Sequence, residues 1–151
     1  TVAGISENSA INRIAQKYLK GNYPHKGLKL LGSLNEVGLC DTLKDTNIYV
    51  MPSHIENSPN NLCEAMIMGV PCIATHAGGT ASILKDHEEG LITQDGDPWA
   101  LAGAIIELIN NPQQAIQYGQ NARKKALKRH DRDDIIKSLL ETYQDIIDLN
   151  K

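Results

Sequence analysis

An α/β fold, a parallel sheet with helices on both faces, is predicted from three features of this sequence. Short apolar runs such as Ile48–Met51 and Cys72–Thr75 have the length and composition of buried strands. Segments of helical period alternate with them, the pattern that builds a parallel sheet covered on both sides. Punctuation falls where the alternation needs it, with Asp97-Pro98 opening one helix and Asn111-Pro112 closing it.

In chain order, Val2-Ala3-Gly4 reads as the end of a strand, Ser9–Leu19 as a helix, Leu28–Leu31 as a strand and Glu36–Leu43 as a short helix. Ile48–Met51 is the next strand, and Pro52 stops it. Ser58-Pro59 then predicts a helix start, with Ser58 as N-cap and Pro59 at the first helical position. Strand Cys72–Thr75, a turn of helix near Ala81–Leu84 and strand Leu91-Ile92 follow. The helix after Pro98 carries a stripe of Leu101, Ala102, Ile105, Leu108 and Ile109. Two more helices are predicted over Gln113–Lys128 and Asp133–Leu149, the last bearing Ile135, Ile136, Leu139, Leu140, Tyr143, Ile146 and Ile147.

Composition narrows the classes of function. A net charge of −3 over 151 residues, 41% of them hydrophobic, suits one soluble core. A pI near 5.9 gives no reason to expect nucleic acid as a partner. The sequence has no run of about 18 apolar residues to span a bilayer, and no signal peptide opens it. Cys40, Cys63 and Cys72 lack CxxC spacing and stand among apolar residues, so three reduced core thiols in a cytosolic protein are expected. The five histidines have no metal-ligand spacing.

The most informative stretch is Met51–Met66, where Glu56 and Glu64 stand eight residues apart across a strand, a tight loop and a helix start. Ligands of α/β sheets bind at that edge. Asn60 and Asn61 present free backbone N–H groups at the helix end, suited to a phosphate. Glu64 follows three to four residues later, hence on the same helix face and roughly 5 Å deeper along the axis. With Leu62, Cys63, Ala65, Met66, Ile67, Met68 and Val70 around it, Glu64 is expected to be a buried carboxylate that something binds. A ribose attached to the phosphate would lie beside it.

The frame Pro-Ser-x-x-Glu-x7-Glu-Ala-Met-x-x-Gly-x-Pro over Pro52–Pro71 resembles the signature of the retaining group 1 glycosyltransferases of the GT-B fold. Other segments are similar to that family too. They are Leu28-Lys29-Leu30-Leu31-Gly32, Val70–Thr75, the Gly-Gly loop His76-Ala77-Gly78-Gly79, Asp86 through Gly90-Leu91-Ile92, and Gly96-Asp97-Pro98 with Leu101, Ala102 and Ile105. The sequence departs from the pattern at Asn57, His87 and Ser82, where the family has Gly, Gly and Glu.

The resemblance implies a Rossmann-like domain, the C-terminal, donor-binding half of a two-domain enzyme, spanning residues 1–151 and lacking its first strand together with the Arg and Lys that hold the donor pyrophosphate. Glu64 then binds the nucleotide ribose, and Glu56 faces the donor sugar as the catalytic residue. Ser58 belongs to the same substrate loop, Asn60, Asn61 and Leu62 offer backbone N–H groups to the diphosphate and sugar, and Gly78 and Gly79 complete the substrate-binding set. The donor is a nucleotide-diphosphate sugar, and no metal or other cofactor is expected. The acceptor is a glycan or a lipid-linked glycan held by the missing N-terminal domain, which leaves the fragment inactive alone and prone to self-association through an exposed sheet edge. The expected location is cytoplasmic, peripheral to the inner face of the membrane.

Other readings stay open beside it. Paired carboxylates also suit a glycosidase, and related architectures include nucleotide-sugar epimerases and non-catalytic sugar-nucleotide binding modules. Asp95-Gly96-Asp97 imitates the Asp-x-Asp metal motif of the other glycosyltransferase fold, although Asp97 before Pro98 is explained as a helix cap. His54 and His76 lie near strand ends, within reach of substrate. Arg123, Lys124, Lys125, Lys128 and Arg129 form a basic stretch, either a solvated face or one that meets anionic lipid or the missing domain.

Overall fold

The computed structural model describes residues 1–4, 9–10, 13–14, 17 and 29–149, and these form two compact units, Thr1–Thr42 and Leu43–Lys151. In the first unit the two predicted strands pair: Val2 and Leu30 form a parallel bridge, with Val2 N donating to Lys29 O at 2.8 Å and Leu31 N to Val2 O at 2.9 Å. Most of the helix expected at 9–19 lies outside the described residues. Helix α1, Glu36–Lys44, begins after Asn35, whose side-chain oxygen accepts from Gly38 N at 2.9 Å. That is an N-cap, with Glu36 and Lys44 at the ends that favour their charges. The only residue α1 buries is Leu43, so Cys40 is exposed and is not the core thiol its neighbours suggested.

The second unit holds a three-stranded parallel sheet, β1 (Tyr49–Met51), β2 (Cys72–Thr75) and β3 (Gly90–Thr93), in the order β1-β2-β3. Tyr49 lies opposite Cys72, and Cys72 opposite Gly90. Helices α2 (Asn60–Ile67), α3 (Thr80–Ile83), α4 (Pro98–Asn110), α5 (Pro112–Arg129) and α6 (Arg132–Leu149) complete it. Every residue of β2 is buried, as a central parallel strand requires.

Alternation along the strands sorts the helices. Ile73 and Leu91 pack with Ala104 and Leu108 of α4 and with Ala115 and Tyr118 of α5, and Val50 joins them. Tyr49, Met51, Cys72 and Ala74 have the opposite pleat and face the side where α2 buries Leu62, Cys63, Ala65 and Met66. Within α4 the stripe is narrower than predicted, because Ala104 and Leu108 are buried while Ala102 and Ile109 face solvent.

Four contacts bind α5 to two of the sheet's connections. The turn after α2 meets α5 backbone to backbone, since a Cβ added at Gly119 would stand 2.3 Å from Gly69 O. Beside it Arg123 Nη1 donates to Ile67 O at the end of α2, where a cation is favoured. Lys125 Nζ reaches Glu89 Oε2 at 2.7 Å, and Asn121 Nδ2 donates to Glu88 O at 2.8 Å. The basic stretch is therefore divided between these internal contacts and the exposed Lys124, Lys128 and Arg129. Helix α6 buries none of its residues, and its Ile135, Leu139, Tyr143 and Ile146 are each at least half exposed. Among the described residues, no helix is long and apolar enough to cross a membrane.

Burial pushes the Cys72 thiol up to about 12. The Tyr49 phenol is pushed to about 12 as well, by burial first and then by the charges of Cys72, Glu64 and Glu56. Both groups ionise earlier in the unfolded chain, so the folded state binds more protons above about pH 9 and its stability must fall as pH rises from there towards 12. Urea unfolding at about pH 8 and about pH 10.5 checks this, with a lower midpoint expected at the higher pH. Equal midpoints would mean that neither group is withdrawn from water.

Candidate functional site

The chain between Pro52 and Pro59 is an irregular loop at the C-terminal end of β1, and three contacts hold it. From below, Thr75 Oγ1 at the end of β2 donates to Ser53 O at 2.5 Å. The Gly-Gly loop crosses from the side. Gly79 N donates to Asn57 O at 3.1 Å, and a Cβ at Gly79 would stand 2.2 Å from that same oxygen. Gly78 has φ +49, and a Cβ there would fall 1.6 Å from Glu56 O. Only glycine permits the two loops to meet at this distance. The third contact is between His54 Nδ1 and Asp95 Oδ1 at 2.6 Å, linking the loop to the segment after β3. It is a close approach without hydrogen-bond alignment, and the enclosed Asp95 oxygen has no hydrogen-bond partner among the described residues.

Glu56 is half-buried in this loop, and its Oε1 accepts from Ser53 Oγ at 2.9 Å. Gly78 and Gly79, expected at the substrate, thus lie directly on the backbone of Glu56 and Asn57. Whatever they offer a ligand, they fix where Glu56 stands.

Helix α2 starts one residue later than the Ser-Pro signal predicts. Pro59 is the N-cap, with φ −72 and ψ 98, and its carbonyl accepts from Cys63 N at 3.3 Å. Ser58 is exposed and makes no cap bond. The physical reason lies in Pro59: an N-cap N–H is not used by the helix, so proline loses nothing there, and its extended ψ keeps Ser58 outside the first turn. A second correction concerns Leu62, whose N–H is taken by Asn61 Oδ1 at 2.9 Å and is not offered outward. The backbone N–H groups of Asn60 and Asn61 carry no hydrogen bond among the described residues.

Glu64 is exposed, which overturns the expectation of a buried carboxylate. Asn60, Asn61 and Glu64, spaced three and four apart, make a polar strip along α2 while Leu62, Cys63, Ala65 and Met66 face inward. Counting apolar neighbours along the chain hid that strip, because two helical turns need only these three residues to form it. Glu64 does share its face with the two free amides, and no ion pair holds it among the described residues.

Tyr49 was not among the expected residues. It stands on the pleat of β1 that faces α2, close enough to Glu64 and Glu56 for both charges to raise its phenol, while a hydrogen bond with the Asn61 side chain acts the other way. At neutral pH it is un-ionised and lies within electrostatic reach of both glutamates. The strand alternation that pairs it with Met51 was the available signal.

Other predicted positions are engaged locally. Ser82 Oγ donates to Gly79 O at 2.7 Å, closing the Gly-Gly turn. His87 adopts φ 56, a left-handed conformation that favours glycine, and Asp86 Oδ1 accepts from Ile92 N at 2.8 Å. Asp97 caps α4, its Oδ1 accepting from Trp99 N and Ala100 N at 2.9 Å each. His76 is exposed at the mouth of an open cleft of about 740 Å³ between the end of β3 and α3. A second, more apolar groove of about 620 Å³ lies at the opposite end of the strands, around Ile48, Pro71, Ile109 and Ile116.

Comparison with known proteins bears on the family and the fold. The family model described as "Glycosyl transferases group 1" matches residues 1–125. An uncharacterized glycosyltransferase of Methanocaldococcus jannaschii is 26% identical over 144 residues, which is 95% of this chain and 40% of that protein. Sucrose-phosphate synthase from Thermosynechococcus elongatus superposes with a TM-score of 0.79 at 26% identity, over 92% of this chain and 34% of that one. HepE of Anabaena, solved in complex with UDP-glucose, superposes at 0.78 with 22% identity, over 93% of this chain and 38% of its own. The chain therefore spans between about a third and two fifths of the length of these three proteins.

Proposed function

As the chain belongs to the group 1 glycosyl transferases, we propose that it supplies the donor site of a retaining enzyme that moves a sugar from a nucleotide diphosphate to a glycan or glycolipid acceptor. Its parallel sheet is of the GT-B kind, and the enzyme's remaining domain would hold the acceptor. The observation that carries this reading is the glycine crossing, which fixes Glu56 at the C-terminal edge of the sheet next to the free amides of α2.

The donor's diphosphate sits at the start of α2, where the Asn60 and Asn61 amides and the positive end of the helix meet its charge. Its ribose then lies about one helical turn further along the face, within reach of Glu64. The sugar projects towards Glu56. With its carboxylate steadied by Ser53, Glu56 accepts hydrogen bonds from sugar hydroxyls and stabilises positive charge developing at the anomeric carbon. The bond from that carbon to the phosphate oxygen breaks, the released phosphate oxygen takes the acceptor proton, and the new glycosidic bond forms on the same face. Retention follows without an attack by Glu56. HepE, which shares the fold, has been solved with UDP-glucose, so UDP is the first nucleotide to test. A cytoplasmic location, with Lys124, Lys128 and Arg129 turned to an anionic membrane surface, completes the proposal.

Titration calorimetry with UDP and GDP tests the donor site. The chain is expected to bind weakly, and Glu64→Ala to weaken binding by about tenfold, the value of one charge-assisted hydrogen bond at an exposed site. Equal affinities for wild type and variant would overturn the ribose assignment.

A further inference from the structure

Between Ser53 and Glu56 the loop has almost no apolar hold on the protein. His54 is exposed and Ile55 is 92% exposed, so polar contacts must fix where the Glu56 carboxylate stands. Two such contacts run in series. Thr75, only 4% exposed at the end of β2, donates its hydroxyl to Ser53 O at 2.5 Å, and Ser53 Oγ in turn donates to Glu56 Oε1 at 2.9 Å.

The first link falls to a side chain because the backbone around it is committed. A longer β1–β2 ladder would satisfy Ser53 O with an amide of β2. The two amides after Thr75 serve other partners: His76 N donates to Thr93 O at 2.8 Å, and Ala77 N turns back to Thr75 O at 2.8 Å. Thr75 Oγ1 is therefore the donor that Ser53 O has among the described residues, with Met51 O more distant at 3.4 Å. Threonine suits the place, since its branched Cβ restricts χ1 and keeps the hydroxyl in one direction at small entropic cost. The second link has an equally definite end. Ser53 Oγ engages Oε1, while Glu56 Oε2 accepts no bond among the described residues, so one oxygen is anchored and the other is left for a ligand.

We propose that Thr75 is a positioning residue for the transfer reaction, aiming the Glu56 carboxylate at the donor sugar through Ser53. The proposal rests on the reading of Glu56 as the sugar-facing catalytic group, and deepens it by naming what holds that group still. Gly78 and Gly79 limit where the Glu56 backbone lies, whereas Thr75 and Ser53 decide where its carboxylate points.

Thr75→Val and Thr75→Ser separate the hydroxyl from its methyl group. In the complete enzyme Thr75→Val is expected to lower kcat about tenfold with UDP affinity held within about twofold, and Thr75→Ser to restore most of that turnover. Ser53→Ala, which cuts the second link without touching the buried strand, is expected to reproduce the kcat loss, and it keeps the test open if Thr75→Val fails to fold. Both links act through Glu56, so adding Thr75→Val to Glu56→Gln should cost less than about twofold more. Amide NMR of the chain itself reads the geometry without turnover: Thr75→Val is expected to shift Ser53, Glu56 and Asn57, and Thr75→Ser to leave them near their original positions. Unchanged kcat in both Thr75→Val and Ser53→Ala, a loss in Thr75→Ser equal to that in Thr75→Val, or losses that multiply with Glu56→Gln would overturn the positioning role. Full turnover in Glu56→Gln would instead overturn the sugar-facing reading and the proposal with it, and the two failures are read from different variants.

Discussion

Gly78→Ala is expected to destabilise the chain by about 3 kcal/mol, from about 1 kcal/mol of left-handed backbone strain plus the larger cost of a forced contact. The second term dominates because the new carbon would sit 1.6 Å from Glu56 O, a backbone atom that no rotamer change removes. Gly96 supplies the control, with φ +75 and nothing within 4 Å of its added carbon, so Gly96→Ala should show the strain alone. Urea unfolding of the two variants separates the terms. Equal losses would mean that the Glu56 loop yields freely and that the glycine crossing does not fix it. If the loop moves instead of unfolding the chain, the same variant in the complete enzyme loses turnover at unchanged fold.

Glu56→Gln in the complete enzyme is expected to lower kcat by about a hundredfold, the loss of one preorganised electrostatic contact in the transition state. Glutamine keeps the size of the side chain and its bond from Ser53, so the loop geometry survives and only the charge is removed. UDP affinity should stay within about twofold, since the nucleotide groups contact α2 and not this loop. Turnover retained at saturating donor, with the defect confined to nucleotide binding, would reject the assignment of Glu56 to the sugar.

Where the sequence was decisive, the governing rule was local. Strand β2 occupies Cys72–Thr75 as read from a run of buried apolar residues, and Asp97-Pro98 opens α4 because the cap and its two amides are adjacent in the chain. The Asn111-Pro112 break between α4 and α5 is equally local. Misreadings came where two signals competed or where a partner was distant. Proline serves at an N-cap as well as at the first helical position, and the sequence pattern of Ser58-Pro59 does not choose between them. Exposure of Glu64 depended on projecting three residues onto a short helix. Contacts such as Gly78 with Glu56, Arg123 with Ile67 and His54 with Asp95 join segments far apart in sequence. No periodicity records them.

Helix α6 has eighteen residues and buries none, so it draws almost nothing from the apolar core that holds the other long helices. An isolated helix of that length is marginal in water. Its opening therefore need not be coupled to that of the sheet. The seven apolar side chains along it, from Ile135 to Ile147, hold free energy that folding leaves uncollected. Any surface that covers them gains that energy and fixes the helix in the same step, which ties the helicity of this segment to association.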